Sequence, residues 1–275
     1  MRRAPAPTTV IAAHRPGRGP RAAKLGCVLA VAILGFSGAA NVAAEPAAND
    51  PRAFFDPLAT IAPGITREVG LLFDHTRSSD ARLTVPSLRL QLPVSSWLQF
   101  SIEMPVVLFE PSEGSATAGA GDLLLAGQAM VWTPRAWPGE VDLGLELTLP
   151  SGSSKVLAGS TALRPFAAAG AKLGPFDVIG NLSYQWVLDG PLADSELFQV
   201  TVAGGYRVRW IAPFAELTLL KAVRGLEDLR PQVSVLPGVE FFLPWNLSLS
   251  VGVQLTLGPA RFFDQRVLSL LKWQF

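Results

Sequence analysis

The chain has 275 residues, of which 49% are hydrophobic and only 16% charged, with a formal net charge of +1 and a single cysteine. Soluble domains usually carry nearer a quarter charged residues, and the near-neutral balance argues against nucleic acid as a partner. One cysteine excludes an intrachain disulfide framework and a cysteine-ligated metal cluster, and outside the N-terminus no apolar run of about 18 residues marks a membrane helix.

The N-terminus reads as a targeting segment. Arg2, Arg3, Arg15, Arg18, Arg21 and Lys24 precede the apolar stretch CVLAVAILGF, and the small-residue stretch SGAANVAAEP follows it. This order predicts a secretory signal peptide over 1–44, cut between Ala44 and Glu45. Cys27 stands at the start of the apolar run, whereas a lipoprotein cysteine would follow it. Residues 45–63, EPAANDPRAFFDPLATIAP, read as a loose periplasmic lead-in.

From residue 64 onward the pattern is regular. In VDLGLELTL, Val141, Leu143, Leu145, Leu147 and Leu149 alternate with Asp142, Gly144, Glu146 and Thr148. Strict alternation predicts a strand with one apolar and one polar face. Twelve such segments follow in chain order: 64–74, 82–92, 97–109, 122–132, 141–149, 163–173, 176–188, 196–208, 210–221, 230–242, 246–257 and 265–275. Most are longer than the usual strand of about five or six residues, and they match the roughly nine to eleven that a tilted membrane crossing needs. Connections after even-numbered segments are mostly short and those after odd-numbered ones longer, as in outer-membrane barrels. The aromatic residues Trp97, Trp132, Trp137, Tyr184, Trp186, Tyr206, Trp210, Trp245 and Trp273 fall near segment ends, where rings at both water–lipid boundaries would place them.

The expected fold is therefore all-β: a transmembrane antiparallel up-and-down barrel of about 12 strands over 64–275, in the bacterial outer membrane. The last segment, RVLSLLKWQF, sets Val267, Ser269, Leu271, Trp273 and Phe275 on one face and Lys272 and Gln274 on the other, as expected of a closing strand. Its alternating apolar residues and aromatic terminus, with Trp273 and Phe275, resemble the signal read by the bacterial barrel-insertion machinery. Pro86, Pro105, Pro165, Pro213, Pro231 and Pro237 are expected at bulges or segment ends, because proline cannot donate to a ladder.

Alternation also assigns the lumen face. The expected lumen-lining charges are Glu68, Arg89, Glu103, Asp122, Asp142, Glu146, Arg164, Lys172, Asp177, Arg207, Glu216, Glu240, Arg266 and Lys272. They read either as a polar channel wall that tunes selectivity or as mutually paired groups filling a narrow lumen. Asp122, after Gly119-Ala120-Gly121, reads first as the cap of a tight loop return through backbone amides. A hydrolase would need a histidine beside a serine; His75, the one histidine of the mature chain, is expected in the first external loop and reads as a solvated side chain. No catalytic residue, cofactor or metal site is predicted.

The stretch GSATAGAGDLLLAGQAMVW resembles the Gly-Asp segment of the outer-membrane β-barrel family of the phenol-degradation (MetA) pathway, a transporter-like group. WLQFSIEMPVVLF, VDLGLELTLPSGS and FFLPWNLSLSVGVQLTLG resemble neighbouring strands of that family. The chain departs from its pattern at Gln128 and Met130, where Lys and Tyr are commoner. The resemblance implies passage of small organic molecules, aromatic or hydrophobic ones included. The expected function is passive transport through an outer-membrane channel, with outer-membrane lipid, the insertion machinery and a small-molecule substrate as partners. The alternative is a structural or adhesive surface barrel that works through its extracellular loops.

Overall fold

The computed structural model describes residues 54–275 apart from 56, 60, 79–80, 113, 134–137, 154–155, 157–158, 191, 226–229 and 259–262. The expected signal segment 1–44, residues 45–53 of the lead-in and Trp137 lie outside the described residues. Every described residue belongs to one compact unit, Ala43–Phe275.

Thirteen strands make one antiparallel sheet: β1 (Glu68–Arg77), β2 (Ala81–Ser95), β3 (Leu98–Pro111), β4 (Thr117–Ala120), β5 (Leu123–Trp132), β6 (Gly139–Leu149), β7 (Thr161–Leu173), β8 (Phe176–Asp189), β9 (Glu196–Tyr206), β10 (Ile211–Arg224), β11 (Gln232–Leu243), β12 (Leu247–Leu257) and β13 (Gln265–Gln274). Pairing follows chain order. β1 pairs with β2 and also with β13, from Glu68↔Gln274 to Arg77↔Gln265, so the sheet closes on itself. β4 and β5 both pair with β3, β4 against Val106–Phe109 and β5 against Leu98–Glu103. They are two halves of one stave broken at Gly121–Asp122, and the barrel has twelve staves.

Closure follows from the solvent. An unpaired backbone amide or carbonyl in hydrocarbon costs several kcal/mol, and a closed sheet leaves none at an edge. The faces are inverted relative to a water-soluble sheet. Leu217 is 52% exposed beside Glu216 at 1%, and Leu143 is 50% exposed beside Asp142 at 0%. A face this apolar on the outside and this polar within suits a wall between lipid and a polar lumen.

Several boundaries differ from the sequence reading. β1 begins at Glu68 instead of residue 64 and runs to Arg77, which leaves only 78–80 between β1 and β2. His75 is thus a strand residue and not a loop residue, and its Nδ1 lies 2.8 Å from Thr84 Oγ1. β3 extends to Pro111, and Thr117–Ala120 pairs back onto it inside what reads as a loop. TAGA alternates small with small, so no apolar contrast betrays the strand. Prolines sit where one ladder is interrupted. The β2–β3 pairing skips from Thr84↔Leu108 to Ser87↔Pro105, past Pro86, and the β7–β8 pairing skips from Leu163↔Trp186 to Phe166↔Ser183, past Pro165. Likewise β11–β12 passes over Pro237, and β9–β10 begins only beyond Pro213.

The two ends of the barrel differ. Connections 96–97, 174–175, 207–210 and 244–246 are short, and they lie at the same end as the C-terminus; 150–160, 190–195, 225–231 and 258–264 lie at the other. The aromatics are distributed unevenly between them. Trp97, Trp132, Tyr206, Trp210, Trp245 and Trp273 are all exposed at the short-turn end, whereas Tyr184 and Trp186 are the members of the expected girdle at the long-loop end. Rings pair along the outer surface, Phe176 with Tyr206 at 4.7 Å, Trp273 with Phe275 at 5.1 Å and Tyr184 with Trp186 at 4.9 Å. The tyrosine hydroxyl of Tyr184 donates to Glu196.

Candidate functional site

The lumen is shared between the inward side chains of the strands and the chain that precedes β1. Over its described residues, the expected loose lead-in is a strap packed against the inner wall. Its backbone amides are received by three carboxylates on different staves. Phe55 N donates to Asp177 Oδ2 at 3.1 Å, Leu58 N and Ala59 N to Glu216 Oε1 at 2.6 and 3.2 Å, and Gly64 N to Asp142 Oδ2 at 2.8 Å. Thr66 N donates to Gln99 Oε1 at 2.8 Å. Gln128 Nε2 donates to the carbonyls of Ala62 and Gly64 and to Asp142, and Gln199 Nε2 to the carbonyl of Ala59. A strap without secondary structure would leave its amides unpaired in the barrel, and these side chains supply the partners.

Inward-facing glycines make room for it. A Cβ on Gly205 would stand 2.6 Å from the ring of Phe55, one on Gly170 2.6 Å from Phe54 and 2.7 Å from Pro63, and one on Gly252 3.1 Å from Leu58. Phe55, 1% exposed, stacks on Phe214 at 5.1 Å and packs with Ile179, Ala203, Ala212, Leu236 and Leu268. Burial of such a ring contributes about 1.5–3 kcal/mol. Lys172 Nζ lies 5.5 Å from the centre of the Phe54 ring and 3.5 Å from Asp177 Oδ1.

Beside the strap a cavity of about 740 Å³ remains. Its lining runs from Ser96, Thr133 and Glu140 at the short-turn end to Phe263 and Arg266 at the long-loop end. The expected lumen charges divide around it. Glu68, Arg89, Glu103, Glu146, Arg164, Arg266 and Lys272 line the cavity. Asp142, Lys172, Asp177 and Glu216 are engaged at the strap. Arg207 lies over the ring of Phe242, 4.5 Å from its centre, and Glu240 is 1% exposed on β11, both towards the short-turn end. Asp122 does not line the cavity. It clasps the connection 150–160, accepting from the amides of Gly152 at 2.9 Å and of Gly159 and Ser160 at 2.8 Å each.

The cavity charges are paired across neighbouring staves. Arg89 meets Glu103 at 2.7 Å, Arg164 meets Glu146 at 2.5 Å, Arg266 meets Asp74 at 2.5 Å, and Lys272 meets Glu68 at 3.5 Å. Asp74 was missed among the sequence candidates, although it shares the parity of Glu68 on β1. Gln99 and Gln199 were missed too, and Gln128 stood out only as a departure from the family pattern, because neutral amides on an inward face do not stand out until their partner is known. The wall therefore offers alternating positive and negative groups and amides, next to the apolar surfaces of Phe54, Leu58, Ile61 and Phe166.

No protein-family model matches the chain, and no curated protein matches it in sequence. Solved structures do. The COG4313 outer membrane channel from Pseudomonas putida F1 is similar at a TM-score of 0.64 and 18% identity, covering 81% of this chain and 100% of its own. The NanC porin is similar at 0.55 and 9% identity, covering 75% of this chain and 100% of its own. The KdgM porin is similar at 0.53 and 12% identity, covering 75% and 99%. At these identities the likeness is one of fold: the chain is built as a closed twelve-stave barrel of the kind found in outer-membrane channels and porins.

Proposed function

We propose that the chain is a channel of the bacterial outer membrane that passes small organic molecules passively, along the cavity that the strap leaves within the barrel wall. The observation that carries this reading is the cavity itself, whose lining reaches both ends of the barrel. The fold likeness to the COG4313 channel and the porins supports it. The resemblance to the phenol-pathway family supports aromatic or hydrophobic substrates, and so do the apolar strap residues along the path.

In this reading the lumen-lining charges tune selectivity. Every cavity cation is within ion-pair distance of a carboxylate, so the wall favours solutes that carry both polar and apolar surface over free ions of one sign. The strap narrows the passage and adds its apolar face. Residues 1–44 serve export and are removed, lipid surrounds the outer face, and the C-terminal strand with Trp273 and Phe275 is handed to the insertion machinery.

Uptake into proteoliposomes tests the proposal. Vesicles with the purified barrel should take up small phenols and short aliphatic acids faster than empty vesicles. Equal rates, with the protein shown to be inserted and folded, would reject it.

A further inference from the structure

The outward face is apolar over most of its height, with a polar interruption at the long-loop end of the β1–β2 hairpin. Register sets Arg77 directly opposite Arg82 and, one outward step lower, His75 opposite Thr84. All four share the parity of the exposed Leu71, Phe73 and Leu88, opposite to that of the buried Glu68 and Ser87. Arg77 and Arg82 are both exposed. Among the described residues neither guanidinium forms an ion pair. Gln265 on β13 stands opposite Arg77, and Glu110 on β3 stands opposite Arg82, on the side away from Arg77.

Residues directly opposite on one face lie about 4.5–5.5 Å apart at Cβ, and like charges there are destabilising. This pair is also set against the lipid boundary. From Val69, beside Trp273, to Arg77 the strand climbs roughly 20 Å along the membrane normal, at ~3.4 Å per residue and a tilt near 40°. The apolar band of such barrels is about 25 Å tall. Arg77 and Arg82 therefore start about 5 Å short of the far edge of that band, and their long side chains carry the guanidiniums to the headgroups of the far leaflet. Two forked donors facing one gap match a phosphate, which can accept from both.

We infer that Arg77 and Arg82 form a binding site for the phosphate of a glycolipid headgroup in the outer leaflet, with His75 and Thr84 as its lower edge. The phosphate removes the repulsion between the two cations and fixes the β1–β2 hairpin at the membrane surface. Other outward cations are arranged differently. Lys221 stands opposite Phe198, and Arg224 lies 3.8 Å from Glu196. The site is independent of whether the lumen conducts.

Native mass spectrometry of the full mature barrel in mild detergent tests it, with diphosphoryl lipid A, dephosphorylated lipid A and inorganic phosphate as probes. The wild type should bind diphosphoryl lipid A at least tenfold more tightly than Arg77→Gln/Arg82→Gln, and the Lys221→Gln control should match the wild type. Unchanged affinity in the double variant overturns the site, as does equal binding of the dephosphorylated lipid. Displacement of the lipid by equimolar inorganic phosphate would assign the pair to a free anion and also overturn it. Should the double variant not refold, Arg82→Gln alone, read by the same affinity, decides the matter.

Discussion

Glu216 shows what single residues contribute. Its carboxylate receives the amides of both Leu58 and Ala59 in a position 1% exposed. Glu216→Ala leaves two half-buried donors without an acceptor, at up to about 1–3 kcal/mol each. We expect denaturant unfolding in detergent to show a destabilisation of about 2–5 kcal/mol, and Glu216→Gln, which keeps an acceptor oxygen, to lose clearly less. Gly205→Val acts from the opposite side. Its Cβ would stand 2.6 Å from the Phe55 ring, so the strap should lift from its seat while the barrel stays closed. Limited proteolysis followed by mass analysis should then release fragments from 54–66 faster than in the wild type; unchanged cleavage would mean the ring has another place to go. Parity alone put Glu216, Asp177 and Asp142 on the inner face, so their direction was legible in the sequence. Their partners were not. The strap has no periodicity, and its contacts join residues separated by 122, 158 and 78 positions.

Elements were legible where lipid and lumen impose opposite demands on successive residues. β6 and β12 alternate without a break, and their registers with β7, β11 and β13 follow that alternation, as does that with β5 up to a shift between Met130 and Trp132. The stave made of β4 and β5 was legible only in its second half. Thr117–Ala120 carries no large apolar residue, and at the break after it Asp122 turns its carboxylate to the amides of the connection 150–160. Asp122→Ala removes the acceptor of three amides in the connection 150–160. We expect that connection to be cut several-fold faster by protease while the folded, heat-modifiable form persists on gels; equal cutting rates would show that the clasp is not what holds it. The closing strand offers a separate expectation. Trp273 and Phe275 pack together at 5.1 Å on the outer face. Removal of Phe275 should lower the yield of inserted barrel in cells more than it lowers the stability of protein refolded in detergent, if this ring is read during assembly.

At the scale of the whole molecule, the outer face is mostly apolar and the inner one mostly polar, and the interior is divided between a docked strap and the cavity beside it. The cavity lining is nearly balanced in charge. Glu68, Asp74, Glu103, Glu140 and Glu146 face Arg89, Arg164, Arg266 and Lys272 along it. Currents through the cavity should therefore discriminate weakly between potassium and chloride, with a reversal potential in a tenfold salt gradient well short of the value for either ion alone. Arg164→Ala, which leaves Glu146 without its partner at 2.5 Å, should shift that potential towards cation preference.

The measurement that bears most directly on this division of the lumen is single-channel conductance of the wild type and of a barrel with residues 54–63 excised, recorded in the same planar bilayer. A passage narrowed by the strap predicts a small, finite conductance for the wild type and one several-fold larger after excision. A wild type that never conducts, or two conductances that coincide, would contradict it.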